Sequence, residues 1–534
     1  MSYVCLILVF TLIVPRLFQV PWWGGKNSLM LRNFSFLLAV LMCLFAQGRA
    51  VAEPFQWASP FGDHMILQRD MPIRVWGWGT PGEKVTVKLA DAETITKDPQ
   101  ASATVAADGS WSVALEPMPY SKSFYDLVAT SGKQKLIAKS VLLGEVWICS
   151  GQSNMQMGYQ GIPEIKKLAD QLTGAPVRCL QITQDVSFEE QDRCTAKWIV
   201  GPGNSAVATT FAYDMYESLK VPIAVIETSW GSSSLEGWMP RSMAKDLPHF
   251  QAALKQLDTE EHDRVASLIA KQAGGTRWTR DENIYLRTRP NILYNAMLHP
   301  LEPLSVRGMV WYQGEANSKS IESMQQYGDT LSAWTTLLRE RFQNEDFMML
   351  AVMLPRFGRM AASSPTKDVE SPTAHGWAWM RQSQAKLLQL PNTGLANTID
   401  LGHLTNIHPT DKRPIGKRLS MIAVNFLEPG RVDPSGPQLK KLEIDGATAV
   451  VSLSHARGLK TTDGNDPKGF WICGKDRQWK RAVAKIDGET VRLTSKEVPA
   501  PVAVRYAFAS FPQVNLINDW DLPAVPFRTD DYAP

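Results

Sequence analysis

The chain has 534 residues, of which 44% are hydrophobic and 20% charged, a composition typical of a globular protein with two or three domains. Its formal net charge of +3 falls to −1 without the first 52 residues, which hold four basic and no acidic side chains. A net charge this small gives no indication of a nucleic-acid partner, and we expect none.

Residues 1–52 are predicted to be a leader. From Met30 a positive residue, an apolar core and a small-residue end, A-V-A, are typical of a secretory signal peptide cleaved near Ala52. Residues 1–29 hold a second apolar stretch, interpreted as lying upstream of the true start. A membrane anchor is the alternative, but neither stretch reaches the ~20 apolar residues that a span needs. We expect an exported protein, periplasmic or extracellular, without membrane contact after signal cleavage.

Three segments follow the leader. Residues 53–140 contain short alternating runs separated by Gly- and Pro-containing turns, which predicts a small β-sandwich. From 141 to 430 apolar runs alternate with helical patterns, which predicts an α/β domain with a mainly parallel sheet. Residues 241–285 are charged and helix-prone and are interpreted as an insertion. Residues 431–534 return to short β runs and are predicted to be a β-rich domain.

Four cysteines lie outside the leader. None belongs to a C-x-x-C pair, so we expect no zinc or redox motif. Cys149 continues a buried run and is interpreted as a core residue. Cys179 and Cys194 flank one short segment and could pair in an oxidising compartment, a question the sequence leaves open.

Polar, glycine-containing turns follow three predicted strands. The first turn holds Ser153, the second Gly231, and the third spans residues 313–317. A fourth segment, T-I-D-L-G-H-L-T-N-I-H-P, contains Asp400 and His408. Because open α/β sheets carry their reacting groups at the carboxyl ends of the strands, these turns could meet at one edge.

Such turns could supply the groups for acyl transfer. A serine needs a base with a pKa near 7 to take its proton, and donors must face the carbonyl oxygen as it becomes negative. The base needs an acceptor that fixes its tautomer. Taken singly, each residue has a structural alternative, since a serine in a Gly-Gln-Ser turn is most often only a turn residue.

The order of G-Q-S-N-M, S-W-G, W-Y-Q-G-E-A-N and D-L-G followed by I-H-P resembles that of the bacterial and animal sialate O-acetylesterases. These are SGNH-type hydrolases with relatives among the acetyl-xylan esterases, and the likeness covers nearly the whole chain after the leader. It implies an α/β, three-layer SGNH-type fold with flanking β-sandwich-type segments. It also implies a serine esterase that hydrolyses O-acetyl esters on carbohydrates, first of all sialic acids, through an acetyl-enzyme.

The resemblance assigns roles residue by residue. Ser153 matches the nucleophile and His408 the base. The backbone N–H groups of Ser153 and Gly231 and the side chain of Gln313 match oxyanion donors. Glu315, in the Q-G-E motif, matches the acid used by related carbohydrate esterases.

Further polar side chains are expected to bind the substrate. Gln152 and Asn154 offer amide donors beside the serine, and Asn317 ends the third turn. A sialic-acid carboxylate would favour a basic residue at the mouth of the site, for which Arg356 and Arg381 are the candidates.

One departure from the family affects the acid. The family commonly has two aspartates before I-H-P, and this chain has His403 and Asn406 there. This leaves Glu315, Asp400 or an unassisted Ser–His dyad. His403 could face the ligand or lie in an exposed loop.

Two other functions remain open at this point. The chemistry could act on acetylated xylan or another polysaccharide, or the chain could be a carbohydrate-binding protein with a decayed site. We expect no metal and no cofactor, because the turns lack ligand spacing of the H-E-x-x-H kind and a histidine can activate water. The sequence does not indicate the oligomeric state.

Overall fold

The computed structural model describes residues 54–91, 99–358 and 368–533. The predicted leader, residues 1–52, lies outside the described residues. Across the described ranges, no helix is long and apolar enough to cross a membrane.

The first part of the chain is β-rich. Its strands are β1 (Gln56–Trp57), β2 (Ile66–Gln68), β3 (Ile73–Trp78), β4 (Lys84–Asp91), β5 (Gln100–Thr104), β6 (Ser110–Leu115) and β7 (Tyr125–Ser131). Strands β1, β3 and β6 form a small antiparallel sheet, while β4 pairs with β5 and β7. Apolar and polar residues alternate along β6, as a sheet with one buried face requires.

Strand β8 (Gln134–Gly151) connects this part to the central sheet. It has 18 residues, and its first half pairs with β7. A bulge around Ser140, where φ is 58°, interrupts that pairing at the predicted boundary. Its second half is fully buried and lies in the middle of the next sheet.

The central sheet is mixed, with a parallel interior. Its other strands are β9 (Val177–Ile182), β10 (Ala196–Val200), β11 (Ile223–Ser229), β12 (Gly308–Tyr312), β13 (Met348–Val352) and β14 (Thr393–Ala396). The order is β10-β9-β11-β8-β12-β13-β14, in which the edge strand β10 runs antiparallel and the others run parallel. Strands β12 and β13 are buried throughout, as expected of parallel strands covered on both faces.

Helices cover both faces of this sheet. They are α1 (Ser153–Gln156), α2 (Pro163–Gln171), α3 (Ala206–Leu219), α4 (Pro248–Thr259), α5 (His262–Ala273), α6 (Arg280–Arg287), α7 (Ile321–Arg341), α8 (Ala378–Gln384) and α9 (Arg413–Leu427). Trp147 of β8 packs on Phe211 of α3. Trp311 of β12 is in register with Ser150, which points to the face opposite Trp147, and it packs on Trp334 of α7.

Short turns complete the helical structure. The 3₁₀ turns are Leu235–Trp238, Arg241–Lys245, His299–Leu301, Glu315–Asn317 and Ala385–Gln389, and Tyr294–Leu298 is a π-helical turn. Helices α4 to α6 occupy the segment 241–285, in agreement with its helix-prone sequence.

The C-terminal part is again β-rich. Its strands are β15 (Gln438–Asp445), β16 (Thr448–Ser454), β17 (Lys460–Thr461), β18 (Phe470–Cys473), β19 (Lys480–Arg481), β20 (Val483–Asp487), β21 (Thr490–Thr494), β22 (Ala503–Tyr506), β23 (Leu516–Ile517) and β24 (Phe527–Arg528). Two four-stranded sheets, β15-β16-β21-β20 and β19-β18-β22-β24, share one hydrophobic cluster with the pair β17-β23. Ile399, from the α/β part, is buried in the same cluster.

The cysteines outside the leader are free thiols. Cys179 of β9 lies opposite Ile199 of β10. Cys194 precedes Ile199 by five residues, roughly 17 Å along an extended strand, whereas a disulfide needs Cα atoms within about 7 Å. The possible Cys179–Cys194 disulfide is therefore not formed.

Candidate active site

Ser153 and His408 meet at the carboxyl edge of the central sheet. Ser153 begins α1, two residues after β8 ends, and His408 lies in the loop between β14 and α9. Although 255 residues apart in sequence, His408 Nε2 and Ser153 Oγ are 2.8 Å apart. This distance allows the imidazole to accept the hydroxyl proton.

The tight turn before Ser153 depends on Gly151. Its φ is 138°, a conformation that side chains with a Cβ rarely adopt. A Cβ at this position would lie 2.1 Å from the carbonyl oxygen of Tyr312 in β12. Glycine therefore lets β8 approach β12 closely and turn at once into α1.

The loop that carries His408 is held by its own side chains. Asn406 Oδ1 accepts a hydrogen bond from the backbone N–H of His408 (2.9 Å), and Asn406 Nδ2 donates to the carbonyl of His408 (3.0 Å). His403 Nδ1 accepts from the backbone N–H groups of Thr405 (3.1 Å) and Asn406 (3.0 Å). His403 thus lies in an exposed loop. His403 and Asn406, at the two positions where the family has aspartates, form the turn that holds His408.

The two predicted orienting acids bind other partners. Asp400 forms two hydrogen bonds with the guanidinium of Arg418 (2.7 and 2.6 Å). Glu315 is buried, and its Oε1 accepts from Asn154 Nδ2 at 2.6 Å. Among the described residues, no carboxylate forms a hydrogen bond with His408. Sequence position could not show this, because both acids belong to segments that were predicted to meet at the same edge of the sheet.

Asn154 links the buried acid to a buried cation. Its Nδ2 also donates to the carbonyl of Ile407 (3.0 Å), and its Oδ1 accepts from Lys412 Nζ (2.5 Å). Burial raises the pKa of Glu315, and burial lowers the pKa of Lys412 to about 8. The network therefore fixes the peptide group directly before His408 from within the protein interior.

Lys412 is a site residue that the sequence analysis missed. The segment D-K-R-P before α9 is typical of a charged surface, yet the Lys412 side chain is fully buried. The feature of the sequence that could have indicated its proximity to the site is its position four residues after His408. The pKa of His408 is lowered by burial and further by the positive charge of Lys412.

Backbone N–H groups provide one candidate oxyanion hole. The N–H of Ser153 opens α1, and the first N–H groups of a helix have no partner within it. The N–H of Gly231 donates to Gln156 Oε1 at 2.8 Å in the free protein. A Cβ at Gly231 would lie 3.2 Å from Ser153 Cβ, so this N–H borders the serine. The side-chain oxygen Oε1 of Gln156 occupies a place that a substrate oxygen could take.

The side chain of Gln313, the third predicted oxyanion donor, has hydrogen-bond partners within the protein. It is fully buried, and its Nε2 donates to Asn317 Oδ1 (2.8 Å), Gln152 Oε1 (3.2 Å) and the carbonyl of Ser233 (3.2 Å). Gln313 therefore joins neighbouring turns in the free protein, and its predicted role as an oxyanion donor stays a prediction. Its position after a strand gave no information on the direction of its amide.

The expected substrate-binding side chains also have internal partners. Gln152 Oε1 accepts from the backbone N–H of Ala316 (3.1 Å), and Asn317 Nδ2 donates to Glu236 (3.0 Å). Asn154 belongs to the buried network. Arg356 donates to the backbone carbonyls of Asp400 (2.8 Å) and Pro512 (3.1 Å). These internal hydrogen bonds hold the side chains around the site, and their role in substrate binding stays a prediction.

Comparisons with known proteins give the family of the chain. Residues 247–424 match the sequence profile of a family described as "Carbohydrate esterase, sialic acid-specific acetylesterase". The sialate O-acetylesterase of Mus musculus is 29% identical over 89% of this chain and 93% of its own, and that of Homo sapiens is 28% identical over 91% and 95%. The crystal structure of a carbohydrate acetylesterase from Xanthomonas citri is 31% identical, with a TM-score of 0.74 over 89% of this chain and 100% of that chain. The chain therefore belongs to the sialate O-acetylesterase family of carbohydrate esterases and is a carboxylic ester hydrolase.

Proposed function

We propose that this enzyme removes O-acetyl groups from sialic acids, with Ser153 as the nucleophile and His408 as the general base. The observation that carries the proposal is the 2.8 Å distance between Ser153 Oγ and His408 Nε2. The choice of substrate is supported by the two mammalian relatives. Both are sialate O-acetylesterases, and this chain matches 93% and 95% of their lengths.

In the first half-reaction the acetyl group moves to the enzyme. Ser153 Oγ attacks the carbonyl carbon while His408 Nε2 takes the hydroxyl proton. The N–H groups of Ser153 and Gly231 donate to the oxygen that becomes negative, once the carbonyl of the substrate replaces Gln156 Oε1. His408 then returns the proton to the sugar oxygen as the C–O bond breaks, which leaves acetyl-Ser153 and a free sugar hydroxyl.

In the second half-reaction water releases acetate. His408 takes a proton from a water molecule as the water oxygen attacks the acetyl carbon. Collapse of this intermediate breaks the bond to Ser153 Oγ, and the proton on His408 returns to the serine. Both halves use the same two side chains and the same oxyanion donors.

We propose that His408 works without an orienting carboxylate. The turn formed by Asn406 and the hydrogen bond from Asn154 to the carbonyl of Ile407 position its backbone instead. Replacement of the acid of a Ser-His-Asp triad by an amide can reduce turnover by ~10⁴-fold. A dyad positioned by the backbone is therefore expected to be slower than a complete triad.

The finer description of fold and location belongs to the same proposal. We propose an SGNH-type catalytic domain at residues 141–430 with an insertion at 241–285, flanked by β-sandwich-type segments at 53–140 and 431–534. Support comes from the placement of Ser153 at the end of a central parallel strand with helices on both faces. Export to the periplasm or the exterior rests on the sequence of the leader.

Replacement of Ser153 tests the function. Ser153→Ala should reduce acetate release from O-acetylated N-acetylneuraminic acid and from p-nitrophenyl acetate by ~10⁴-fold or more. An organophosphonate should label the wild type and leave Ser153→Ala unlabelled, since only an activated serine reacts quickly. Ser232→Ala, an exposed serine beside Gly231, is the matched control and should keep both properties.

The outcomes separate the alternatives. Unlabelled wild-type protein that still binds sugars would support a decayed carbohydrate-binding protein and contradict the esterase. Faster acetate release from acetylated xylan than from acetylated sialic acid would keep the chemistry and move the substrate to polysaccharides.

A further inference from the structure

An enzyme that acts on sialic acid must accommodate a carboxylate, and the arginines expected to bind it are occupied. Arg356 donates to backbone carbonyls, as described above. Arg381 is fully buried and donates to the backbone carbonyls of Ala509 and Pro355. Neither guanidinium is free to bind a ligand, so the carboxylate requires another partner.

A cavity of about 490 Å³ lies beside the active-site turn. Its walls include Trp230, which directly precedes Gly231, and Trp278, whose ring stacks on Trp230 at 6.2 Å between centroids and 28° between planes. Trp278 Nε1 donates to the carbonyl of Leu268 in α5 at 2.8 Å, which fixes the ring. The stacked indoles give the cavity one apolar wall, and most of its other lining is polar.

Among the polar side chains that line this cavity, Arg277 is the charged one. Arg277 lines it and is exposed, and none of the described residues forms a salt bridge with Arg277. The other polar side chains around it are neutral and belong to Thr183, Gln184, Gln272, Thr276 and Asn283. A planar guanidinium without a protein partner is suited to a carboxylate, which it can bind through two parallel hydrogen bonds.

The cavity adjoins a second depression, which contains Gln156. This depression, of about 330 Å³, shares Thr183 and Gln184 with the cavity. Gln156 Oε1 accepts from the N–H of Gly231, which borders Ser153. Trp230 directly precedes Gly231 in the chain, so the Trp230–Trp278 wall lies next to the turn that borders Ser153.

We propose that this cavity binds the body of the sialic acid and that Arg277 binds its carboxylate, an assignment that rests on the proposed function. The acetyl ester then lies at Ser153 and the acidic end of the sugar at Arg277. This makes Arg277 a specificity-determining residue that selects acidic over neutral acetylated sugars and does not touch the reacting atoms.

The test compares Arg277→Gln with the wild type. KM for O-acetylated N-acetylneuraminic acid should rise about tenfold, the usual effect of losing a hydrogen bond to a charged group, while kcat/KM for p-nitrophenyl acetate stays unchanged. Free N-acetylneuraminic acid should inhibit p-nitrophenyl acetate hydrolysis about tenfold more weakly in the variant, and its methyl ester should inhibit both proteins equally. Arg280→Gln, an exposed arginine outside the cavity, is the matched control and should behave as the wild type.

Each outcome bears on one proposal. If the wild type hydrolyses acetylated sialic acid and Arg277→Gln has the same KM and inhibition constant, the role of Arg277 is wrong and the function stands. If the wild type does not act on acetylated sialic acid, the proposed function fails, and inhibition by the free acid alone decides whether the cavity binds a carboxylate. Equal loss in Arg280→Gln would indicate a general charge effect and contradict the site.

Discussion

The neighbouring charge that shifts the pKa of His408 is positive. The pKa of His408 is lowered by burial and then by Lys412, which is buried at the start of α9. A lowered pKa keeps the imidazole neutral, and so able to accept the Ser153 proton, at more acidic pH than an ordinary histidine with a pKa of about 6.5. We therefore expect kcat/KM to rise with pH and to reach its plateau at an unusually low pH.

Lys412→Met tests this influence. Loss of the positive charge should raise the pKa of His408 and move the acid limb of the kcat/KM profile for p-nitrophenyl acetate toward higher pH. The shift should be partial, because burial is the larger cause and remains. Lys417→Met, an exposed lysine of α9, should leave the profile unchanged.

A second variant separates electrostatics from damage to the fold. Lys412→Met leaves Glu315 buried without its cation, which is destabilising. The double variant Lys412→Met/Glu315→Gln removes both charges and should show the same shifted limb with a higher unfolding midpoint than the single variant. If both variants are folded and the acid limb of their kcat/KM profiles stays at the wild-type pH, Lys412 does not influence the base.

The sequence predicted that Ser153 and His408 meet but not the contacts that hold them. Ser153 comes two residues after Gly151 and His408 directly before Pro409, so their position in turns could be predicted from local patterns. The partners of Glu315 depend on where the amide of Asn154 points and on the burial of Lys412, which only the packed structure specifies. The same holds for Gln313, whose amide turns inward.

At the scale of elements, the site is built from turns that follow parallel strands. The turn after β11 brings Gly231 against Ser153 at the start of α1, and the loop after β14 brings in His408. Apolar runs predicted β8, β11, β12 and β13, because central parallel strands are buried on both faces. The long β8 was less predictable, since its first half alternates and its second half does not.

Gly231→Ala tests how closely these turns must pack. Its backbone is not in the left-handed region, so alanine fits without backbone strain. Its methyl group would, however, lie 3.2 Å from Ser153 Cβ and 3.3 Å from Gln156 Oε1, which is closer than ordinary contact. We expect the nucleophile to shift and kcat for p-nitrophenyl acetate to fall by ~10- to 100-fold, with the thermal midpoint nearly unchanged.

The control for this variant lies in the same turn. Ser232→Ala changes an exposed side chain next to Gly231 and should keep full turnover. Wild-type kcat in Gly231→Ala would mean that the turn tolerates a methyl group and that the spacing beside Ser153 is not critical.

At the scale of the whole molecule, the C-terminal strands support the segment that leads to His408. Asn397, directly after β14, donates to the backbone carbonyls of Pro523 (2.9 Å) and Ala524 (3.2 Å). Ile399 is fully buried in the hydrophobic cluster of the C-terminal sheets. Near residue 430 the alternation of apolar runs and helical patterns gives way to short β runs, which predicted a separate β-rich segment. This pattern could not show that the segment covers part of the α/β core.

Removal of residues 431–534 should therefore destabilise the rest of the protein and strongly reduce its activity. The shortened protein would expose Ile399 and leave the buried guanidinium of Arg381 without the Ala509 carbonyl, so we expect no cooperative thermal transition. Turnover of p-nitrophenyl acetate should fall at least ~100-fold, because the loop carrying His408 loses its support. The comparison is with the same chain ending at residue 534, measured by calorimetry and by acetate release. A shortened protein that unfolds cooperatively and retains wild-type turnover would show that the catalytic part folds alone and that the C-terminal contacts are incidental to His408.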